Sequence, residues 1–166
     1  MLIFKLIGAV TVLISFSYMG YLQFKKICDR EREIKELKIY FISIAEDAKI
    51  SMKKISTLFK DNLIGKHLYT EAVFNKYIEN LENKEDLHIS WEIAKQMNTY
   101  PLNDEILSVL DSYFYNLKCT GIEEFVVLTD NLIKCLDSLS DTDSKNKKLF
   151  FNLWIFSGAL TVILLL

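Results

Sequence analysis

Arg30–Asp61 reads REREIKELKIYFISIAEDAKISMKKISTLFKD. Its apolar positions Ile34, Leu37, Phe41, Ile44, Ala48, Ile55 and Leu58 fall at spacings of 3, 4, 3, 4, 7 and 3. Ser51 stands at the skipped position. Spacings of three and four put side chains on one helical face, whereas a half-buried strand would alternate every two. The pattern predicts one long helix with a single packing seam, continuous or nearly so with the residues before it. Ile39, Ile42 and Met52 widen the apolar surface beyond a two-stranded seam, so a bundle core is expected.

Working outward, Asn62–Lys66 reads as a turn, with Gly65 available to end a helix. Thr70, Ala72, Val73, Phe74, Tyr77, Ile78 and Leu81 suggest a second, short helix, and Glu82–Asp86 a polar loop. Ser90–Met97 looks like a third helix. Pro101 marks a boundary and can occupy the first turn of the next helix, which displays Ile106, Leu110, Tyr113 and Leu117, broadened by Val109 and Phe114. Gly121 interrupts the pattern. A last helix begins near Ile122 and carries Phe125, Val126, Leu128, Leu132, Ile133, Leu136 and Leu139. Phe125–Leu128 is the best strand signal in the chain, but its flanks keep helical spacing. Ser140–Ser144 is expected to fray or to continue as a solvated helix. The fold class is therefore all-α.

Composition divides the chain in three. The 166 residues are 51% hydrophobic and 25% charged, with mean hydropathy +0.16. Yet 41 of the 42 Asp, Glu, Lys and Arg side chains lie in 25–148. Residues 1–24 hold only Lys5, and 149–166 hold none. As helices the two ends measure about 36 and 27 Å, against a hydrocarbon core of about 30 Å. Residues 1–24 and 149–166 are read as transmembrane helices flanking a helical domain at 25–148. For the first, a retained anchor is favoured over a cleaved signal peptide, because the start is weakly basic and Tyr18-Met19-Gly20-Tyr21 is a poor cleavage site. Gly8 and Gly20 allow close approach of another helix, and Trp154 could sit at headgroup level. Lys25, Lys26, Arg30 and Arg32 follow the first span; Lys145, Lys147 and Lys148 precede the second. That bias places the middle domain in the cytoplasm.

Chemistry-bearing patterns are sparse. His67 and His88 have no His or Cys at ligand spacing, and Cys28, Cys119 and Cys135 form no CxxC pair, so no metal site is expected. Asp141-Thr142-Asp143-Ser144-Lys145 starts like a calcium loop but lacks its Gly and terminal Glu, and reads as a solvated helix or turn. No phosphate-binding or dinucleotide loop appears, so no cofactor, catalytic residue or small-molecule substrate is expected. A net charge of −2 gives no reason to expect nucleic acid. Trp91 fits either a core anchor or an exposed partner contact. Tyr113, Phe114 and Tyr115 cannot all face one core, so at least one meets solvent, a partner or lipid. Candidate partner contacts are Trp91, Tyr113 and Tyr115 for packing, with Arg30 and Arg32 for charge pairing near the membrane.

Taken in order, these features resemble the stage III sporulation protein AB family along essentially the whole chain. They are an N-terminal span with the early Gly8, the Arg30-Glu31-Arg32-Glu33 start of a long helix, and mid-chain Trp91. The acidic-apolar Asp104-Glu105-Ile106-Leu107 follows, then a basic approach to the terminal Ser157-Gly158-Ala159-Leu160-Thr161-Val162-Ile163-Leu164-Leu165-Leu166. Two departures are visible. Ser51–Ser56 lacks the family's Pro, and Val109-Leu110-Asp111-Ser112 and Asn116-Leu117 stand where Leu-Gly pairs are usual.

The resemblance implies a non-enzymatic membrane platform subunit of the mother cell–forespore channel complex. Its soluble part would be similar to the type II secretion platform protein domain. Its partners would be a cytosolic secretion-type ATPase, membrane channel subunits of the same complex, and membrane lipid. It would sit in the mother-cell membrane around the forespore with its soluble domain cytoplasmic. The rival expectation is a membrane-anchored helical adaptor unrelated to sporulation.

Overall fold

A computed structural model describes residues 2–51, 53–83, 85–117 and 121–165, with the backbone alone at 2–6, 9, 146, 148, 151, 155, 159, 162, 164 and 165. Its elements are α1 (Leu2–Ile50), α2 (Ile55–Leu63), α3 (Glu71–Glu82), α4 (Leu87–Ala94), α5 (Asp104–Asn116) and α6 (Ile122–Leu165). Among the described residues there is no strand, in keeping with the all-α reading. Phe125–Leu128 lies inside α6, where Phe125 and Val126 are buried and Val127 is exposed.

The chain divides into two compact units. One comprises Met1–Glu31 with Asp141–Leu166, the other Arg32–Ser140.

Within the Arg32–Ser140 unit, the seam residues Ile34, Leu37, Phe41, Ile44 and Ala48 are all buried. They share one core with Phe59, Phe74, Tyr77, Trp91, Ile106, Leu110, Phe114, Leu132 and Leu136. The centre of that core is aromatic. Tyr40, Phe41, Phe59, Phe74, Tyr77, Trp91, Tyr113 and Phe114 meet mostly edge-to-face, with centroids 4.2–6.3 Å apart. Such pairs add about 0.5–1.5 kcal/mol each beyond area burial.

The single helix expected over 30–61 is interrupted. The Ser51 hydroxyl and the Ser51 amide both donate to the Asp47 carbonyl at 2.8 Å, and Lys54 is extended (φ −64°, ψ 148°). Side-chain competition for a backbone carbonyl favours a helix end there. The break folds α2 back so that the Tyr40 hydroxyl donates to the Phe59 carbonyl at 3.0 Å. In one straight helix those residues would stand about 28 Å apart. Met52, assigned to the widened face, lies outside the described residues. Ile39 and Ile42, assigned to the same face, are exposed.

Local signals set the remaining helix ends. Gly65 has φ +81°, the left-handed conformation that a side chain resists, and it closes the turn after α2. Asp86 caps α4 by accepting from the His88 amide at 2.9 Å, starting that helix three residues before the expected Ser90. Asn103 caps α5 by accepting from the Ile106 amide at 3.1 Å. Pro101 follows a cis peptide bond ahead of α5, not in its first turn as expected.

Glu33 on α1 is fully buried, yet it is fully employed. It accepts from the Tyr69 amide at 2.8 Å, the Thr70 amide at 2.9 Å and the Thr70 hydroxyl. A carboxylate at the start of α3 also faces the positive end of that helix's dipole. Across the same unit, Lys38 on α1 pairs with Asp137 on α6.

In the other unit, α1 and α6 run side by side. At Gly20 they come so close that a Cβ would lie 3.2 Å from the Cβ of Trp154, and Phe16 packs on the Trp154 ring. Arg30 donates to Asp143 through Nε at 2.6 Å and through Nη2. Lys147 pairs with Glu31 at 3.2 Å and lies over the Phe24 ring. Asp143, expected to be solvated, is only 7% exposed because the Arg30 guanidinium covers it. Large apolar side chains crowd the surface of this unit: Ile7, Ile14, Tyr18, Tyr21, Phe156 and Ile163 are all more than half exposed. Among the described residues, no helix is long and apolar enough to cross a membrane.

Candidate functional site

The five candidate contacts do not form one cluster. Trp91 is 1% exposed and stacks on Phe114, with centroids 4.2 Å apart and planes at 21°. Its indole nitrogen donates to Asp111 Oδ1 at 2.6 Å. Of its two sequence readings, the structure supports the core anchor. Tyr113 is also buried. Its hydroxyl pairs with the Thr129 hydroxyl at 3.1 Å, and burial pushes its pKa well above the ordinary tyrosine range. Arg30 is engaged by Asp143, whereas Arg32 is exposed. Tyr115 is 63% exposed, so it is the member of the aromatic triplet that meets solvent.

Helical spacing builds a surface around Tyr115. Asp111 and Tyr115 are four apart on α5; His88 and Glu92 on α4 and Lys95, which caps its end, stand at intervals of four and three, so each set shares one face. The two faces meet. The His88 ring lies edge-on to Tyr115 at 5.1 Å, and His88 Nε2 is 3.8 Å from Glu92. Lys95 bridges the helices, 2.7 Å from Glu92 and 3.3 Å from Asp111. Those carboxylates, Glu92 foremost, raise the Lys95 pKa against a smaller opposing effect of burial. Ile89, beside His88, is exposed. The outcome is a strip of charged and aromatic side chains fixed over a rigid aromatic core.

Sequence reasoning missed Asp111 as the Trp91 acceptor and His88 as the Tyr115 neighbour. Both depend on the α4–α5 pairing, which spacing along one helix does not reveal. It also missed Asp143 and Glu33, whose partners are 113 and 37 residues away.

Among the described residues, no group of three or more His, Cys, Asp or Glu side chains is placed to hold a metal ion. Cys28 and Cys135 are free thiols, and Cys119 lies outside the described residues.

Residues 5–166 match the family described as stage III sporulation protein AB. The chain belongs to that family. A solved structure titled Stage III sporulation protein AB (SpoIIIAB) superposes with a TM-score of 0.65, covering 73% of this chain and 98% of that one. The two sequences are 14% identical, so this likeness speaks for a shared fold. No match to a curated protein was found. Membership of the stage III sporulation protein AB family gives the chain a role in sporulation, and its helical bundle is the fold of that family's solved member.

Proposed function

We propose that this chain is a non-enzymatic platform subunit of the mother cell–forespore channel complex. Its two apolar ends anchor it in the mother-cell membrane, and its helical unit docks a cytosolic ATPase together with membrane channel subunits. The observation that carries the docking role is the Tyr115–His88 pair on the α4–α5 strip. A large aromatic ring held in the open, on helices packed around Trp91 and Phe114, suits recognition by a partner. Arg32, also exposed, is a second contact for an acidic partner surface. Trp91 and Tyr113 serve the strip indirectly, by holding α4 and α5 in place.

The membrane reading rests on two supports. One is the near absence of charge from 1–24 and 149–166. The other is the set of large apolar side chains exposed on the unit built from those ends, since a patch of that extent marks a contact with protein or membrane. The Lys- and Arg-rich inner flanks support a cytoplasmic position for the helical unit.

The decisive experiment is co-purification of the full chain with the proposed cytosolic secretion-type ATPase. Tyr115→Ala combined with His88→Ala should abolish association, while Gly8→Ala, in the N-terminal apolar segment, should preserve it. Retention of the ATPase by the double variant would remove the strip from the interface. No association in wild type, under conditions that keep the channel intact, would sink the docking role.

A further inference from the structure

Three lysines stand where the apolar surface of the Met1–Glu31/Asp141–Leu166 unit gives way to charge. Lys25, Lys26 and Lys145 are exposed. The other basic side chains described in this unit are engaged: Arg30 by Asp143, and Lys147 by Glu31 and the Phe24 ring. Those pairs also occupy the nearby carboxylates. Asp29 is half-buried and engaged in its own interactions. Asp141, one turn before Lys145, is the exposed carboxylate that tempers the local charge.

Helical geometry fixes where these lysines point. Gly20, Phe24, Ile27 and Glu31 recur at spacings of 4, 3 and 4, and Gly20, Phe24 and Glu31 contact α6 side chains. That is the inner face of α1, so Lys25 and Lys26 project to its two outer flanks. On α6, Asp143, Lys147 and Trp154 mark the inner face, and Lys145 lies on the opposite side. The three ammonium groups therefore form a collar around the outside of the helix pair. A collar faces a medium that surrounds the protein, unlike a pocket that holds one ligand. Just beyond Lys25 and Lys26 come exposed Tyr21 and Tyr18, an amphipathic type that settles at a membrane–water boundary.

We propose that Lys25, Lys26 and Lys145 bind the phosphate headgroups of anionic phospholipids in the leaflet facing the helical unit. The inference rests on the membrane reading above and adds the lipid class to it. Free phosphate would not need the apolar surface that adjoins the collar; a lipid uses both.

The chain holds two tryptophans, and Trp91 is closed off in the core, so Trp154 reports on lipid. The full chain would be reconstituted in mixed bilayers carrying acyl-brominated phosphatidylglycerol or acyl-brominated phosphatidylcholine, and Trp154 quenching compared. The expected result is about a fivefold preference for the anionic lipid, the order of effect of one lysine at an anionic surface. It should fall with salt, vanish in Lys25→Gln/Lys26→Gln/Lys145→Gln and persist when all three are replaced by Arg. Equal quenching by the two lipids, or a preference kept by the Gln variant, overturns the headgroup assignment alone. No quenching by either lipid overturns the membrane reading beneath it.

Discussion

The Trp91 indole donates to Asp111 at 2.6 Å while its ring stacks on Phe114. One side chain thereby locks α4 to α5 with a polar tip and an apolar face. Replacing Asp111 by Ala leaves the indole N–H without its acceptor and Lys95 without one of its two carboxylates. A loss of about 1–3 kcal/mol is expected. Asp111→Asn keeps an oxygen in place and should lose less. Urea unfolding of the purified chain measures both, and equal losses in the two variants would show that charge, not acceptor geometry, matters there.

Glu33 supplies the second test. Its carboxylate satisfies two amides just before α3 and the Thr70 hydroxyl, the two Thr70 bonds buried and the Tyr69 bond part-buried. Glu33→Ala strands those donors, and a loss of about 3 kcal/mol or more is expected. Glu33→Gln retains one acceptor oxygen and should fall between. Amide exchange at Tyr69 and Thr70 should accelerate in both variants before global unfolding does.

Arg30 and Asp143 make a partly buried pair, with side chains 20% and 10% exposed. Removing Arg30 leaves a carboxylate poorly solvated and alone, which is worse than removing both partners. Arg30→Ala should therefore lower the thermal midpoint more than Arg30→Ala/Asp143→Ala does. Additive effects across this double-mutant cycle would mean that the pair is uncoupled.

Alkaline pH reaches the aromatic core. Burial raises the pKa of Tyr40, Tyr77 and Tyr113, in each case as the largest effect. The folded state thus keeps protons that the unfolded state releases near pH 10. Stability is fully present below that value and falls as pH rises from it toward the folded-state values. The slope is about 1.4 kcal/mol per pH unit for each such tyrosine. Unfolding followed by circular dichroism should steepen above about pH 10, and three of the eight tyrosines should form tyrosinate only as the chain unfolds. Tyrosinate formation by all eight in the folded chain would contradict this.

Much of the bundle was legible in the sequence because its helices are amphipathic. The Ile34–Ala48 seam, Val73–Ile78 and Ile106–Leu117 were read from spacing and are buried as expected. Gly65 was legible because few residues other than glycine accept φ +81°. The break at Ser51 was not, since a seven-residue gap keeps a heptad register whether or not the chain turns there. Of the candidate contacts, Tyr115 could be separated from its neighbours only once α5 was oriented against α4. Adjacent aromatics show that one must face outward without saying which. Arg30 was legible as a charge, but its partner Asp143 lay in a stretch that looked solvated.

The pairs that join α1 to α6 are 113 residues apart at Arg30–Asp143 and 99 apart at Lys38–Asp137. Trp91–Asp111 spans 20 and Tyr113–Thr129 only 16. Loop-closure entropy grows with the logarithm of loop length, and contacts distant in sequence slow folding. The short helices can therefore assemble while the nascent C-terminal helix is still being made, and the first helix must wait for the last to complete its clasp. A released chain cut before residue 137 would hold every residue of the central aromatic pairs, but its closing ion pair would lack one of its members.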